Sequence, residues 1–217
     1  MVRRFISRGI PTFLLSLAPL LCMGAVIAAD EKTDEKTAKS EAAGDEVAKD
    51  AEVETKDVKH QDLELKLPKT WKIAPSSSNM RLATYAIPAV EGDEEAGEFA
   101  IFTFPNGGGA LNENLTRWIE QFSSDGRTSV LKQGKVGENH YYVADITGTY
   151  QKPKGPPVLR QTTPAPGYRM IALVVELEGK GVYYLKATGP EATIKANAEV
   201  LRKAIGGQSE GETDYEI

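Results

Sequence analysis

The stretch YRMIALVVELEGKGVYYLKATG, residues 168–189, restricts the fold more than any other part of the chain. Two runs dense in β-branched and aromatic residues flank Glu178-Gly-Lys-Gly181, so they read as two antiparallel strands joined by a tight hairpin. Apolar residues stand at consecutive positions in these runs rather than at alternate ones. A strand with one wet face alternates, whereas near-continuous hydrophobicity means that both faces of the sheet are covered. The rest of the chain must therefore supply a layer above this hairpin and a layer below it.

The segments that do so are visible between about His60 and Ile205. Leu63, Leu65 and Leu67 alternate with polar residues, which is the pattern of a half-buried strand ended by Pro68. RLATYAIP (81–88) and GEFAIFTFP (97–105) read as two more strands, each closed by a proline and separated by an acidic turn. In LNENLTRWIEQF the period changes, and Leu111, Leu115, Trp118, Ile119 and Phe122 fall on one face of a helix. HYYVADITGTY (140–150) returns to strand chemistry, and PEATIKANAEVLRKAI closes the domain as a helix with Pro190 in its first turn. The order βββ-α-βββ-α, with runs of antiparallel strands and two amphipathic helices, predicts an α+β fold: an antiparallel β-sheet covered by helices in an α/β/α sandwich.

Ahead of this domain, residues 1–29 have the anatomy of a signal peptide. Arg3, Arg4 and Arg8 form a basic start, Phe13 to Ile27 an apolar core, and Val26-Ile-Ala28 or Ile27-Ala-Ala29 a small-residue exit. An uncleaved N-terminal membrane anchor is the alternative, since the apolar run approaches the ~18 residues that a spanning helix needs. Export to the periplasm or the extracellular space follows from either. Cys22, the single cysteine, leaves with the signal, so the mature chain is expected to hold no disulfide or thiolate metal site. Residues 30–59 are Lys, Glu, Asp, Ala and Thr with almost nothing to bury, and are expected to be a disordered acidic linker. The domain is then 60–206, and 207–217 a disordered acidic tail.

LELKLPKTWKI resembles the strand–Pro–x–x–Trp opening of PsbP-like domains, and the element order over roughly 60–205 is similar to that fold, which PsbP-type and Mog-type proteins share. RLATYAIP, LTRWIEQF and YRMIALVVE also look like segments of exported bacterial proteins that carry such a domain. These motifs are structural. What the resemblance implies is a PsbP-like domain in a binding or accessory protein rather than an enzyme.

The chain's chemistry is sparse. A net charge of −5 argues against nucleic acid, which needs a basic surface. Its two histidines, His60 and His140, have no acidic partner at ligand spacing, so neither a metal nor another cofactor is expected. FPNGGGALNEN places glycines between a strand and a helix, the context of a phosphate loop. Ala110-Leu111 stands where Lys-Ser/Thr is needed, however, so a structural loop with Asn112 as helix N-cap fits better. A two-residue turn at Gly179-Lys180 pairs Leu173 with Lys186 and puts Arg169 and Lys186 on one apolar face, where with Arg81 they form a candidate anion-binding pocket. The plainer reading has both cations reach solvent or pair with a carboxylate such as Asp145. Gln151–Gly167, rich in proline, reads as a long loop suited to partner docking. The functional expectation is an exported, non-enzymatic binding or accessory protein of the cell envelope with an envelope protein partner. An anion- or small-ligand-binding protein and an envelope hydrolase acting on an ester or amide are the alternatives.

Overall fold

The computed structural model describes residues 53–76, 78–104, 107–155 and 159–217. The expected signal peptide and most of the expected linker lie outside the described residues. In chain order the elements are β1 (Thr55–His60), β2 (Leu63–Pro68), β3 (Lys72–Ile73), β4 (Arg81–Ile87) and β5 (Gly97–Thr103), then α1 (Leu111–Ile119). They continue with β6 (Thr128–Val136), β7 (Asn139–Pro153), β8 (Thr162–Leu177), β9 (Gly181–Pro190), α2 (Glu191–Ala196), α3 (Ala198–Ala204) and β10 (Thr213–Asp214). Eight strands form one antiparallel sheet in the order β10-β6-β7-β8-β9-β5-β4-β3, while β1 and β2 make a separate hairpin.

The β8–β9 pair lies in the middle of the sheet, and both of its faces are buried as its composition requires. On one face Ile171, Leu173, Val175, Tyr183 and Leu185 meet Leu63, Leu65 and Leu67 of β2, Trp71, and Ile194 and Leu201 of the C-terminal helices. On the other, Met170, Ala172, Val174 and Tyr184 meet Leu115, Trp118 and Phe122 on and after α1. The fold is thus α+β and antiparallel, but its outer layers are not the two helical layers of the expected sandwich. One is a single short helix, and the other is a β-hairpin beside two shorter helices. The expected C-terminal helix is broken at Asn197 (φ −105°, ψ 7°), whose side-chain amide donates to the Thr193 carbonyl at 2.8 Å.

The central turn differs from the expected one. It holds Glu178, Gly179 and Lys180, is closed by the Lys180 N–H donating to the Leu177 carbonyl at 3.0 Å, and uses Gly179 at φ +68°. Leu177 therefore faces Gly181, Leu173 faces Leu185, and Lys186 faces Ala172. A slip of one residue moves every side chain of a strand to the opposite face. Lys186 and Tyr184 accordingly project toward α1, and Arg169 projects toward the other layer.

Four polar segments are more ordered than composition suggests. All of β1 except His60 falls inside the expected linker, where Val58 packs on the core and Lys56 Nζ donates to the Trp71 carbonyl at 2.8 Å. β6, which has no apolar alternation, pairs along its length with β7. The proline-rich stretch is mostly a two-stranded ribbon, because β7 runs to Pro153 and β8 starts at Thr162. Gln151, opposite Pro164, points its N–H away from β8 to the Gln121 carbonyl at 2.8 Å. Pro164 consequently occupies an outward-facing position on the ribbon's free edge, where the missing N–H blocks strand addition. The acidic tail is held too. β10 pairs with β6, Tyr215 packs edge-on against Tyr142 at 5.0 Å, and Glu212 grips Arg202 through contacts of 2.7 and 3.1 Å.

The Arg202 and Glu212 side chains are 8% and 3% exposed. Removing the Glu212 charge leaves Arg202, among the described residues, only the longer ion pair with Glu199 at 3.7 Å, at a cost on the order of 1–3 kcal/mol. Glu212→Gln is expected to lower the urea unfolding midpoint accordingly; an unchanged midpoint would show that the tail does not hold the domain.

Candidate functional site

The glycine loop, the start of α1 and His60 resolve into ordinary structure. At the glycine loop, Gly107, Gly108 and Gly109 all have positive φ (75°, 73° and 91°), and a Cβ on Gly108 would lie 2.7 Å from Phe104 and Tyr184. α1 has no side-chain cap at its N-terminus, and Asn114 in its first turn instead ties the loop down. Asn114 Nδ2 donates to the Gly108 and Ala110 carbonyls at 3.0 Å each, and Arg117 donates to Asn114 Oδ1 at 2.6 Å. Asn112, expected as the N-cap, instead accepts from the Tyr215 hydroxyl at 2.7 Å. His60 Nε2 lies 2.9 Å from the Tyr85 hydroxyl, and burial lowers the pKa of its imidazole. Among the described residues no group of three or more His, Cys, Asp or Glu is placed to hold a metal ion.

The three candidate cations part company. Arg169 lies against Asp145, donating from Nε at 2.8 Å and from Nη2 at 2.6 Å in a two-point contact. The hydrogen bonds it donates to Asp145 outweigh burial and raise the Arg169 pKa further. With its charge matched and its face turned away, Arg169 does not belong to the pocket. Arg81 and Lys186 do come together, in a cleft of about 460 Å³ at one end of the sheet.

Five strands build this cleft. β4 supplies Arg81, β5 Glu98, β7 Tyr150 and Lys152, β8 Tyr168, and β9 Lys186 and Thr188. Arg81 pairs with Glu98 at 2.9 Å and lies over the Phe102 ring at 5.5 Å. Tyr150 and Tyr168 stack with centroids 5.9 Å apart and planes 12° apart, and Phe122 backs Tyr150 at 5.2 Å. At the rim, Lys152 pairs with Glu95 at 2.8 Å, and the Tyr168 hydroxyl donates to the same carboxylate. These hydrogen bonds hold the Glu95 carboxyl below its ordinary pKa and raise that of Lys152.

Lys186 has a different environment. Its ammonium donates to Gln121 Oε1 at 2.6 Å and to the Tyr150 hydroxyl at 3.4 Å, and lies 5.4 Å from the Tyr150 ring centre. Among the described residues it has no carboxylate within salt-bridge distance. Burial, opposed by Glu98 and aided by Arg81, lowers its pKa from 10.5 to about 8. Burial likewise pushes the Tyr150 hydroxyl up to about 12. Two residues along the same face of β9, Thr188 Oγ1 is buried without a hydrogen-bond partner. The lining cations and the carboxylates that answer them thus leave one positive charge over, on Lys186, next to one unused hydroxyl. Sequence reasoning found Arg81 and Lys186 as cations interrupting apolar strands. It missed Tyr150, Tyr168 and Thr188, whose types are ordinary in a core.

No family model matches the chain, and no curated protein matches it.

Lys186 keeps its charge near neutral pH at the expense of the fold. Its pKa is lower folded than unfolded, so the penalty is complete below pH 8 and fades as pH rises from about 8 to 10.5. Lys186→Met is expected to stabilise the protein at pH 7 by on the order of 1–3 kcal/mol, with the gain vanishing near pH 10.5. Chemical unfolding at the two pH values checks this; a destabilised variant at pH 7 would mean that the ammonium's contacts outweigh its desolvation.

Proposed function

We propose that this chain is an exported, non-enzymatic binding protein of the bacterial cell envelope, and that the Arg81–Lys186 cleft holds a small anionic ligand. The observation that carries this is the Lys186 ammonium, desolvated in an open cleft with only neutral hydrogen-bond partners. A cation kept so, at a cost to stability, is the mark of a site completed by something the fold does not contain. Arg81 shares the cleft and, through its pairing with Glu98, positions one wall.

The basic and apolar leader supports export, and the acidic segment after it supports a domain held away from its point of export. The resemblance of LELKLPKTW to the opening of PsbP-like domains supports a domain of that kind, whose relatives are accessory and binding proteins. An envelope protein partner would present or receive the ligand.

Titration calorimetry with a panel of small carboxylates, phosphate and sulfate at pH 7 tests the reading. At least one anion is expected to bind, and Lys186→Met to weaken it about tenfold or more, as loss of a charged hydrogen bond requires. Affinity should decline through pH 8 as the free amine loses its proton. Equal affinity in the Lys186→Met variant would remove the cleft from the function.

A further inference from the structure

The cleft narrows the class of anion, and we infer that it takes a small organic monocarboxylate, with Lys186 matching the charge and the Thr188 hydroxyl donating to a carboxylate oxygen. This rests on the reading of the cleft as an anion site.

Charge sets the valence. Arg81 is answered by Glu98 and Lys152 by Glu95, so Lys186 alone is left to match a ligand. A monoanion completes the balance. A dianion such as hydrogen phosphate or sulfate leaves one negative charge unmatched in the same cleft as the Glu98 carboxylate, which repels it in a partly dehydrated setting.

The donors set the head group. Lys186 and Thr188 stand two positions apart on one face of β9, their Cα atoms about 7 Å from each other along an extended strand. Both residues line the cleft, and the Thr188 hydroxyl, closed to solvent as it stands, would reach a ligand by rotation about χ1. The Thr188 hydroxyl is buried and unpartnered, and a buried polar atom is normally satisfied. An acceptor that reaches both donors removes the one uncompensated charge and the one idle hydroxyl together. A carboxylate, with two acceptor oxygens and one charge, has that chemistry. The remaining walls give the size: Ala96, Pro153 and Gly189 bring apolar surface to about 460 Å³, room for an organic body and far more than a halide needs.

The same chemistry is offered by a free organic acid and by the C-terminal carboxylate of a peptide, and the experiment separates them. Calorimetry on the full chain at pH 7 and fixed ionic strength would use butyrate, benzoate, N-acetyl-alanyl-alanine, the amide of that dipeptide, phosphate and sulfate. The expected result is binding of the monocarboxylates, with phosphate and sulfate weaker by about tenfold or more. Tighter binding of the dipeptide than of butyrate and benzoate, lost on amidation, assigns the site to peptide termini; the reverse order assigns it to free acids. Thr188→Val, which keeps the strand-compatible shape, is expected to weaken monocarboxylate binding about tenfold while the unfolding midpoint is unchanged or raised, because it deletes an unsatisfied buried hydroxyl. Phosphate or sulfate binding as tightly as the monocarboxylates, or undiminished monocarboxylate binding by the Thr188→Val protein, overturns the inference and leaves the anion site standing. Absence of binding by every anion overturns both.

Discussion

A hydrogen bond from the Lys180 N–H to the Leu177 carbonyl closes the turn at the centre of the sheet, and the sidedness of β9 is fixed there. With three residues in the turn, Leu185 and Tyr183 enter the layer shared with β2 and the C-terminal helices, while Tyr184 and Lys186 enter the layer shared with α1. β5 then pairs with β9 in matching register, Ala100 opposite Lys186 and Glu98 opposite Thr188. The cleft exists because this register sets a cation and a hydroxyl on the face that the α1 layer covers incompletely. One residue fewer in the turn would place both on the face shared with β2 and the C-terminal helices.

The walls of the cleft show how an unmatched charge is tolerated. Tyr150 is held between Phe122 and Tyr168, so its hydroxyl and ring meet Lys186 from a fixed direction. The ribbon that carries Tyr150 and Lys152 is anchored where Gln151 and Ser123 exchange main-chain and side-chain hydrogen bonds with their neighbours. Its outer edge is closed to other strands by Pro164. Rigidity and protection thus come from segments whose composition suggests a loop, and they leave the mouth of the cleft as the accessible part of this region.

What the sequence made legible was whatever burial writes into it. The β2, β4, β5, β7, β8 and β9 strands and the amphipathic α1 could be read because their apolar positions face a core. β1 and β6 could not: none of their residues is fully buried, and pairing with a neighbour demands main-chain groups rather than apolar side chains. The register of β9 was hidden for the opposite reason. Both faces of β8 are buried from Met170 to Val175, so a slip of one residue leaves an equally apolar pattern and only turn geometry decides. Arg169 and Lys186 were visible as cations within apolar runs, but which one finds a carboxylate depends on which face it takes. Glu212 was invisible as a core residue, since its burial depends on Arg202 waiting in α3.

Most neighbouring strands in the sheet are consecutive in the chain; β10–β6 and β5–β9 are not, and the second of these pairings joins the β3–β5 block to the β6–β9 block. Local hairpins close early and long-range pairings late, because loop entropy is lost before contacts compensate it. Arg81 and Glu98 lie on one side of this seam and Tyr150, Lys186 and Thr188 on the other. The cleft is therefore assembled only when this long-range pairing forms. A ligand bound across it acts as a clasp, stabilising the closed seam by mass action in proportion to its concentration over its dissociation constant. Occupancy and integrity of the fold are in this way one linked equilibrium.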